Sequence, residues 1–282
     1  MRMINKKIYL GKIILLFLIL LGCKQTTAND NIKWRNCLGQ TPEWYGSDEA
    51  IRIADNVLLY QTISGGWPKN IDMAKKLSED DLDRIKKRKS GFEATIDNSA
   101  TYTQIRFLTK VFNKSKLERF KNSLLKGIDY LFEAQYENGG WPQFYPLIEG
   151  YYTHITFNDN AMINVMRLLK DVADNKHEFA FIDQERKNKA KESVEKGIEC
   201  ILKCQVIVDG KLTVWCAQHN EHTLEPAQAR TYEHPSLSGY ESAEIVSFLT
   251  EIENPSPEII NSIISAVDWF KEVEIKGIRL EI

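Results

Sequence analysis

Three tryptophans constrain this chain more than any other feature: Trp67, Trp141 and Trp215 stand 74 residues apart, with no slippage. Each follows an amphipathic stretch that ends at a glutamine. The turns read Gln61-Thr-Ile-Ser-Gly65-Gly-Trp67 and Gln135-Tyr-Glu-Asn-Gly139-Gly-Trp141, with a looser copy from Gln205 through Gly210 to Trp215. Apolar residues before each turn fall at helical spacing, as in Ala50, Ile53, Ala54, Val57 and Leu58, then Leu117, Phe120, Leu124, Ile128 and Leu131, then Ala190, Val194, Ile198 and Ile201. A second helix follows each turn, carrying Ala100, Gln104, Phe107, Leu108 and Val111, then Met162, Val165, Leu169 and Val172, then Ala243, Val246 and Leu249. A fourth helix of the first kind runs from Ile259 to Glu274. Strand signals are nearly absent, Lys211 to Cys216 being the one short candidate.

Helix pairs of equal period bury their apolar faces only by stacking on their neighbours. The fold class expected is therefore all-α: an α/α toroid of repeated helix pairs, its long irregular turns gathered at one end. Those turns hold Asp97, Asp159, the tryptophans and the polar stretch Ala217 to Ser242, so a site is sought there.

The first residues follow a different logic. Arg2, Lys6, Lys7 and Lys12 precede an apolar run from Ile13 to Leu21, the layout of a secretory signal. Leu20-Leu21-Gly22-Cys23 resembles a bacterial lipoprotein cleavage box. Residues 1–22 are thus expected to be a lipoprotein signal peptide, with Cys23 as the lipidated residue, 23–31 as a tether and 32–282 as the folded domain. That places the protein outside the cytoplasm, as a membrane-anchored lipoprotein of the periplasm or cell surface, held by acyl chains alone and expected to be a monomer. Loss of the first 22 residues shifts the formal charge from −2 to −6, and nothing suggests a nucleic-acid partner. Cys37, Cys200, Cys204 and Cys216 fit buried thiols; one disulfide among the last three is possible without being predictable.

Asp97-Asn98 and Asp159-Asn160 stand at the starts of equivalent helices, where they could cap a helix or point carboxylates at one hard cation such as calcium. Glu241 is the third equivalent position. The tryptophans could pack between repeats or offer faces to a sugar ring, with Lys69 beside the first for an anionic ligand. His219, His222 and His234 lack the spacing of a zinc site. Arg230, among Glu225 and Glu233, could be an ordinary ion pair or the anchor of a substrate carboxylate.

Five segments together resemble the pectate lyases of polysaccharide lyase family 10. They are Gly65-Gly-Trp-Pro-Lys-Asn70, Thr95-Ile-Asp-Asn-Ser-Ala-Thr101, Gly139-Gly-Trp-Pro-Gln-Phe-Tyr145, His154-Ile-Thr-Phe-Asn-Asp-Asn-Ala161 and Glu225-Pro-Ala-Gln-Ala-Arg-Thr-Tyr-Glu-His-Pro-Ser236. The resemblance implies an α/α toroid and calcium-assisted β-elimination of de-esterified polygalacturonate. It places Arg230 at the catalytic-base position and Asp97, Asn98 and Asp159 at the calcium site. Trp67, Lys69, Trp141, Tyr232 and Glu233 would lie along the substrate cleft. An arginine base implies an alkaline optimum, since a guanidinium gives up its proton with difficulty. Members of the resembled family continue past the position of Ile282 with further cationic residues, so a shortened C-terminus is expected. Two other readings remain: a lipid-tethered pectin-binding protein without catalysis, and a triterpene-cyclase-like enzyme using Asp80-Asp81-Leu-Asp83.

Overall fold

The computed structural model describes residues 32–88 and 93–277. Cys23 and the signal and tether expected over 1–31 lie outside the described residues.

Among the described residues eight α-helices follow in order, joined by long turns. They are α1 (Asp48–Tyr60), α2 (Glu79–Arg88), α3 (Tyr102–Ser115), α4 (Glu118–Ala134), α5 (Ala161–Ala173), α6 (Gln184–Cys204), α7 (Gly239–Thr250) and α8 (Pro257–Glu272). Helix α1 is capped by Ser47, whose hydroxyl accepts from the Ala50 N–H at 3.2 Å, and Asp48 and Glu49 stand in its first turn. Ser256 caps α8 in the same way. The described residues also hold four two-residue strands, β1 (Ile155–Thr156), β2 (Ile207–Val208), β3 (Lys211–Leu212) and β4 (Gln218–His219), paired β1 with β4 and β2 with β3.

The helices form two layers. α1, α4, α6 and α8 pack on one another in succession, as do α3, α5 and α7, and α3–α4, α5–α6 and α7–α8 pair across the layers. Burial tells the layers apart. Helix α5 is buried on most of its circumference, from Met162 and Ile163 round to Val165, Met166 and Leu168, as an inner helix must be. Helix α6 buries one stripe, including Ala190, Val194, Gly197 and Ile201. Its other face is laced with pairs four residues apart, such as Lys196 with Glu192 at 2.8 Å. This is the α/α toroid layout.

The repeat has a concrete fastening. Gln61 donates to the carbonyls of Gly65, at 2.7 Å, and of Ser123 in the next outer helix, at 2.8 Å. Gln135 does the same to Gly139 and Ser193, and Gln205 to Thr213 and Ser262. Each glutamine therefore closes its own turn and pins it to the following repeat. Each tryptophan completes the joint. The indole N–H groups of Trp67, Trp141 and Trp215 donate to Val57, Leu131 and Ile201 at 2.7–2.8 Å.

Two expectations are corrected, the inward face of α7 and the cyclase-like reading, while the cysteines are the buried thiols expected. In α7 the buried side chains are Ser242, Ile245, Phe248 and Leu249, one step round from the expected stripe of Ala243, Val246 and Leu249, because the Ser242 hydroxyl is drawn inward to the Trp215 backbone. Helix α2, unforeseen from its charges, stands in the first turn, with Asp81 held by Lys75 and Ser78. That places Asp80 and Asp83 on an exposed surface, and the repeats serve helix stacking, so the cyclase-like reading has no site. All four described cysteines are free, Cys200 and Cys204 lying 4.0 Å apart. Among the described residues no helix is long and apolar enough to cross a membrane.

Candidate active site

The three long turns are built alike. Thr95, Thr156 and Ser238 each donate a backbone N–H to the carbonyl of their tryptophan, at 3.1, 3.1 and 2.8 Å. Whatever follows these residues is thereby delivered to the same end of the array. After Thr95 come Asp97 and Asn98; after Thr156, Asn158, Asp159 and Asn160; after Ser238, Tyr240 and Glu241. Bridges from Thr95 to Phe144 and from β1 to β4 then knit neighbouring turns together.

Neither aspartate is a helix cap. Helix α3 starts at Tyr102 and α5 at Ala161, and neither start receives a side-chain capping bond. Instead the turns enter the left-handed region, at φ 48° for Asn98, 52° for Asp159 and 59° for Asn160. Residues other than glycine adopt that conformation at a cost, least for Asn and Asp.

Seven residues singled out in the sequence line one cavity of about 610 Å³: Lys69, Asp97, Asn98, Asp159, Arg230, Tyr232 and Glu233. Asp97 is 3% exposed; one carboxylate oxygen accepts from the Lys69 ammonium, and the other, Oδ1, is buried with no hydrogen-bond partner. The Lys69 ammonium also lies 5.4 Å from the centre of the Phe144 ring. Asp159 titrates above the usual carboxylate range, chiefly through burial and then through repulsion by Asp97 and Glu241. Arg230 is exposed and paired with Glu233, whose hydrogen bond and charge raise the guanidinium pKa further. Tyr232 is 93% exposed.

Trp67 and Trp141 do not line this cavity. Both are fully buried, and their rings press on close approaches in the next repeat. A Cβ on Gly127 would stand 2.6 Å from the Trp67 ring, and one on Gly197 3.3 Å from that of Trp141. Their cleft assignment is corrected: they pack between repeats, which is where a large flat apolar side chain stabilises most.

The polar stretch after Trp215 is ordered from within by His219. Its Nδ1–H donates to the Leu224 carbonyl at 2.8 Å, and its Nε2 accepts from the Cys216 N–H at 3.2 Å. Burial lowers its pKa from 6.5 to about 4, so the ring is a neutral spacer and no metal ligand. Reading the sequence missed Tyr151, Gln143 and Asn158, which also line the cavity. Tyr151 lies against Tyr152, ring centres 4.1 Å apart, and burial first and Tyr152 second push its hydroxyl up to about 12. The Tyr151-Tyr152 pair in the long second turn was the available signal.

The donors suit a hard cation in kind: two carboxylates that repel each other, an orphaned Asp97 oxygen and the nearby Asn98 and Asn158 amides. Among the described residues no three His, Cys, Asp or Glu side chains form a ready ligand set, so Asp97 and Asp159 would need oxygens from amides, water or substrate.

The family described as pectic acid lyase matches residues 61–282. Among solved structures, a family 10 polysaccharide lyase from Cellvibrio cellulosa is 34% identical over 84% of this chain and 69% of its own, with a TM-score of 0.71. An aspartate-to-alanine variant of a family 10 polysaccharide lyase from the same organism, in complex with trigalacturonic acid, matches at 34% identity, 84% and 70% coverage and a TM-score of 0.72. No curated protein matches.

Proposed function

The chain belongs to the pectic acid lyase family and is a polysaccharide lyase, and from that premise we propose that it cleaves de-esterified polygalacturonate by calcium-assisted β-elimination in the cavity between Asp97, Asp159 and Arg230. The observation that carries this reading is the charge layout of that cavity. Two mutually repelling carboxylates, the buried Asp97 and the exposed Asp159, share the cavity with Lys69 and Arg230, so the cavity offers oxygens to a cation and positive charge to a uronate carboxylate. The trigalacturonic acid in the related enzyme supports the substrate class.

In the reaction a base takes the C5 proton of a galacturonate, the C4–O4 bond breaks with its electron pair leaving on oxygen, and a C4–C5 double bond forms. Calcium held by Asp97, Asp159 and neighbouring amides would neutralise carboxylate charge that otherwise opposes loss of that proton. Lys69, paired with Asp97, would supply a second positive charge for the substrate carboxylate once Asp97 held such a cation. Gln143 and Asn158 offer amides to the sugar hydroxyls.

Arg230 has two possible roles. As base, it must first leave Glu233 and then lose a proton that Glu233 holds more tightly. As anchor, the same guanidinium exchanges Glu233 for a substrate carboxylate and stays charged. The ion pair favours the anchor, since it presents a protonated arginine already engaged with a carboxylate.

Purified protein lacking residues 1–22 is expected to generate ultraviolet-absorbing unsaturated products from polygalacturonate with calcium, and to stop on addition of EDTA. Binding without product would instead establish a pectin-binding protein. Arg230→Lys separates the roles: an anchor keeps kcat within about tenfold while KM rises, whereas loss of a base lowers kcat by roughly 100-fold or more. Export and lipidation at Cys23 are proposed alongside, on the basic-then-apolar start of the chain and its Leu-Leu-Gly-Cys box.

A further inference from the structure

A second cavity, of about 560 Å³, adjoins the first and shares Lys69 and Asn98 with it. Its far side is formed by the segment before α1, with Lys33, Trp34 and Arg35, which precedes the residues matched by the family. Trp34 is fixed there: its backbone N–H donates to Asp72 Oδ1 at 2.9 Å, and its ring meets Phe107 edge-on with centres 5.2 Å apart. The one acidic side chain on the wall, Asp72, is turned toward the backbone through Oδ1, which also accepts from the Ala74 N–H. Lys33 and Arg35 are exposed, and their side chains make no hydrogen bond or ion pair with any described residue. Between the cavities stands the Asn70–Asn98 pair, amide to amide at 3.2 Å.

The wall thus offers an aromatic ring, side-chain amides and two uncommitted cations, continuous with a site read as taking uronates. We propose that this cavity is a further substrate subsite, in which Lys33 and Arg35 bind the carboxylate of a uronate residue beyond those at Asp97, Asp159 and Arg230, with Trp34 beneath the sugar. The inference rests on the proposed function, and it makes affinity depend on chain length. Short oligomers occupy the first cavity alone, while longer ones also reach the cations of the second.

The test is titration calorimetry with trigalacturonate and hexagalacturonate on the protein lacking residues 1–22, beside KM and kcat for both. Wild type is expected to bind the hexamer more tightly, and K33A/R35A to lose about tenfold of that advantage with kcat on the hexamer retained. K33R/R35K is expected to restore most of the advantage, which a folding defect would not allow. An unaltered hexamer-to-trimer ratio in K33A/R35A overturns the subsite while leaving the function intact. Wild type that prefers neither length does the same, whereas wild type that binds neither oligomer overturns both.

Discussion

In the proposed site Arg230 is paired with Glu233, and that pairing makes opposite forecasts for the two proposed roles of the arginine. Glu233→Gln removes the charge that raises the guanidinium pKa. If Arg230 is an anchor, the variant is expected to lower KM, because the guanidinium no longer has to leave a partner. If it is a base, the alkaline limb of the rate profile moves to lower pH; steady-state kinetics across pH read both. His219 governs stability in a different window. Unfolded, it takes a proton as pH falls through 6.5; folded, it refuses one until about 4. The unfolded state therefore binds more protons between those values, and stability drops as pH falls across them, by roughly 3 kcal/mol at most. His219→Gln is expected to be less stable at neutral pH and to show a flatter dependence from pH 6.5 to 4, measured by denaturant unfolding. That Lys69, Asp97, Asp159 and Arg230 share one end of the molecule was legible in the sequence, because the recurring turns and segments that carry them repeat together. Their partners were not: that Arg230 meets Glu233, and Asp97 meets Lys69, depends on how the turns fold over one another.

At the scale of elements, the repeat gave away the helices, and the joint between repeats explains why it could. Glutamine, glycine and tryptophan recur because each satisfies one geometric demand, so their spacing tracks the fold. Gly139 stands at φ 92°, and a Cβ there would lie 2.0 Å from the Lys196 carbonyl of the next outer helix. Gly127→Ala is expected to destabilise by about 1–3 kcal/mol through overpacking against Trp67 and Ile105. Gln135→Ala leaves the Gly139 and Ser193 carbonyls short of a donor, at a similar cost of about 1–3 kcal/mol. Thermal or denaturant unfolding checks both, and a change under about 0.5 kcal/mol would contradict the joint as described. The α7 face was misread because its inward side is chosen by one polar contact, Ser242 to the Trp215 backbone, which hydrophobic periodicity cannot register. Helix α2 and the β1–β4 pairing escaped for the same reason: one is too charged to show a stripe, the other only two residues long.

For the whole molecule, the formal charge of −2 and the charge of the proposed polygalacturonate substrate have the same sign, so local cations would have to draw the polymer in. Lys69, Arg230, Lys33 and Arg35 are the cations lining the two adjoining cavities. Where the protein resides is tested by Cys23→Ser: fractionation is expected to move it from the membrane to the soluble fraction, and retention with the membrane would contradict the lipid anchor. The left-handed turns carry one more consequence. Asn98, Ser99, Asp159 and Asn160 all hold positive φ in or beside the cavities. Glycine would relax each of those conformations while deleting the side-chain oxygen. A population of variants selected only for heat resistance is therefore expected to drift toward glycine at these turns and, on the proposed function, to shed turnover first, which makes them the place where durability and activity would compete within one chain.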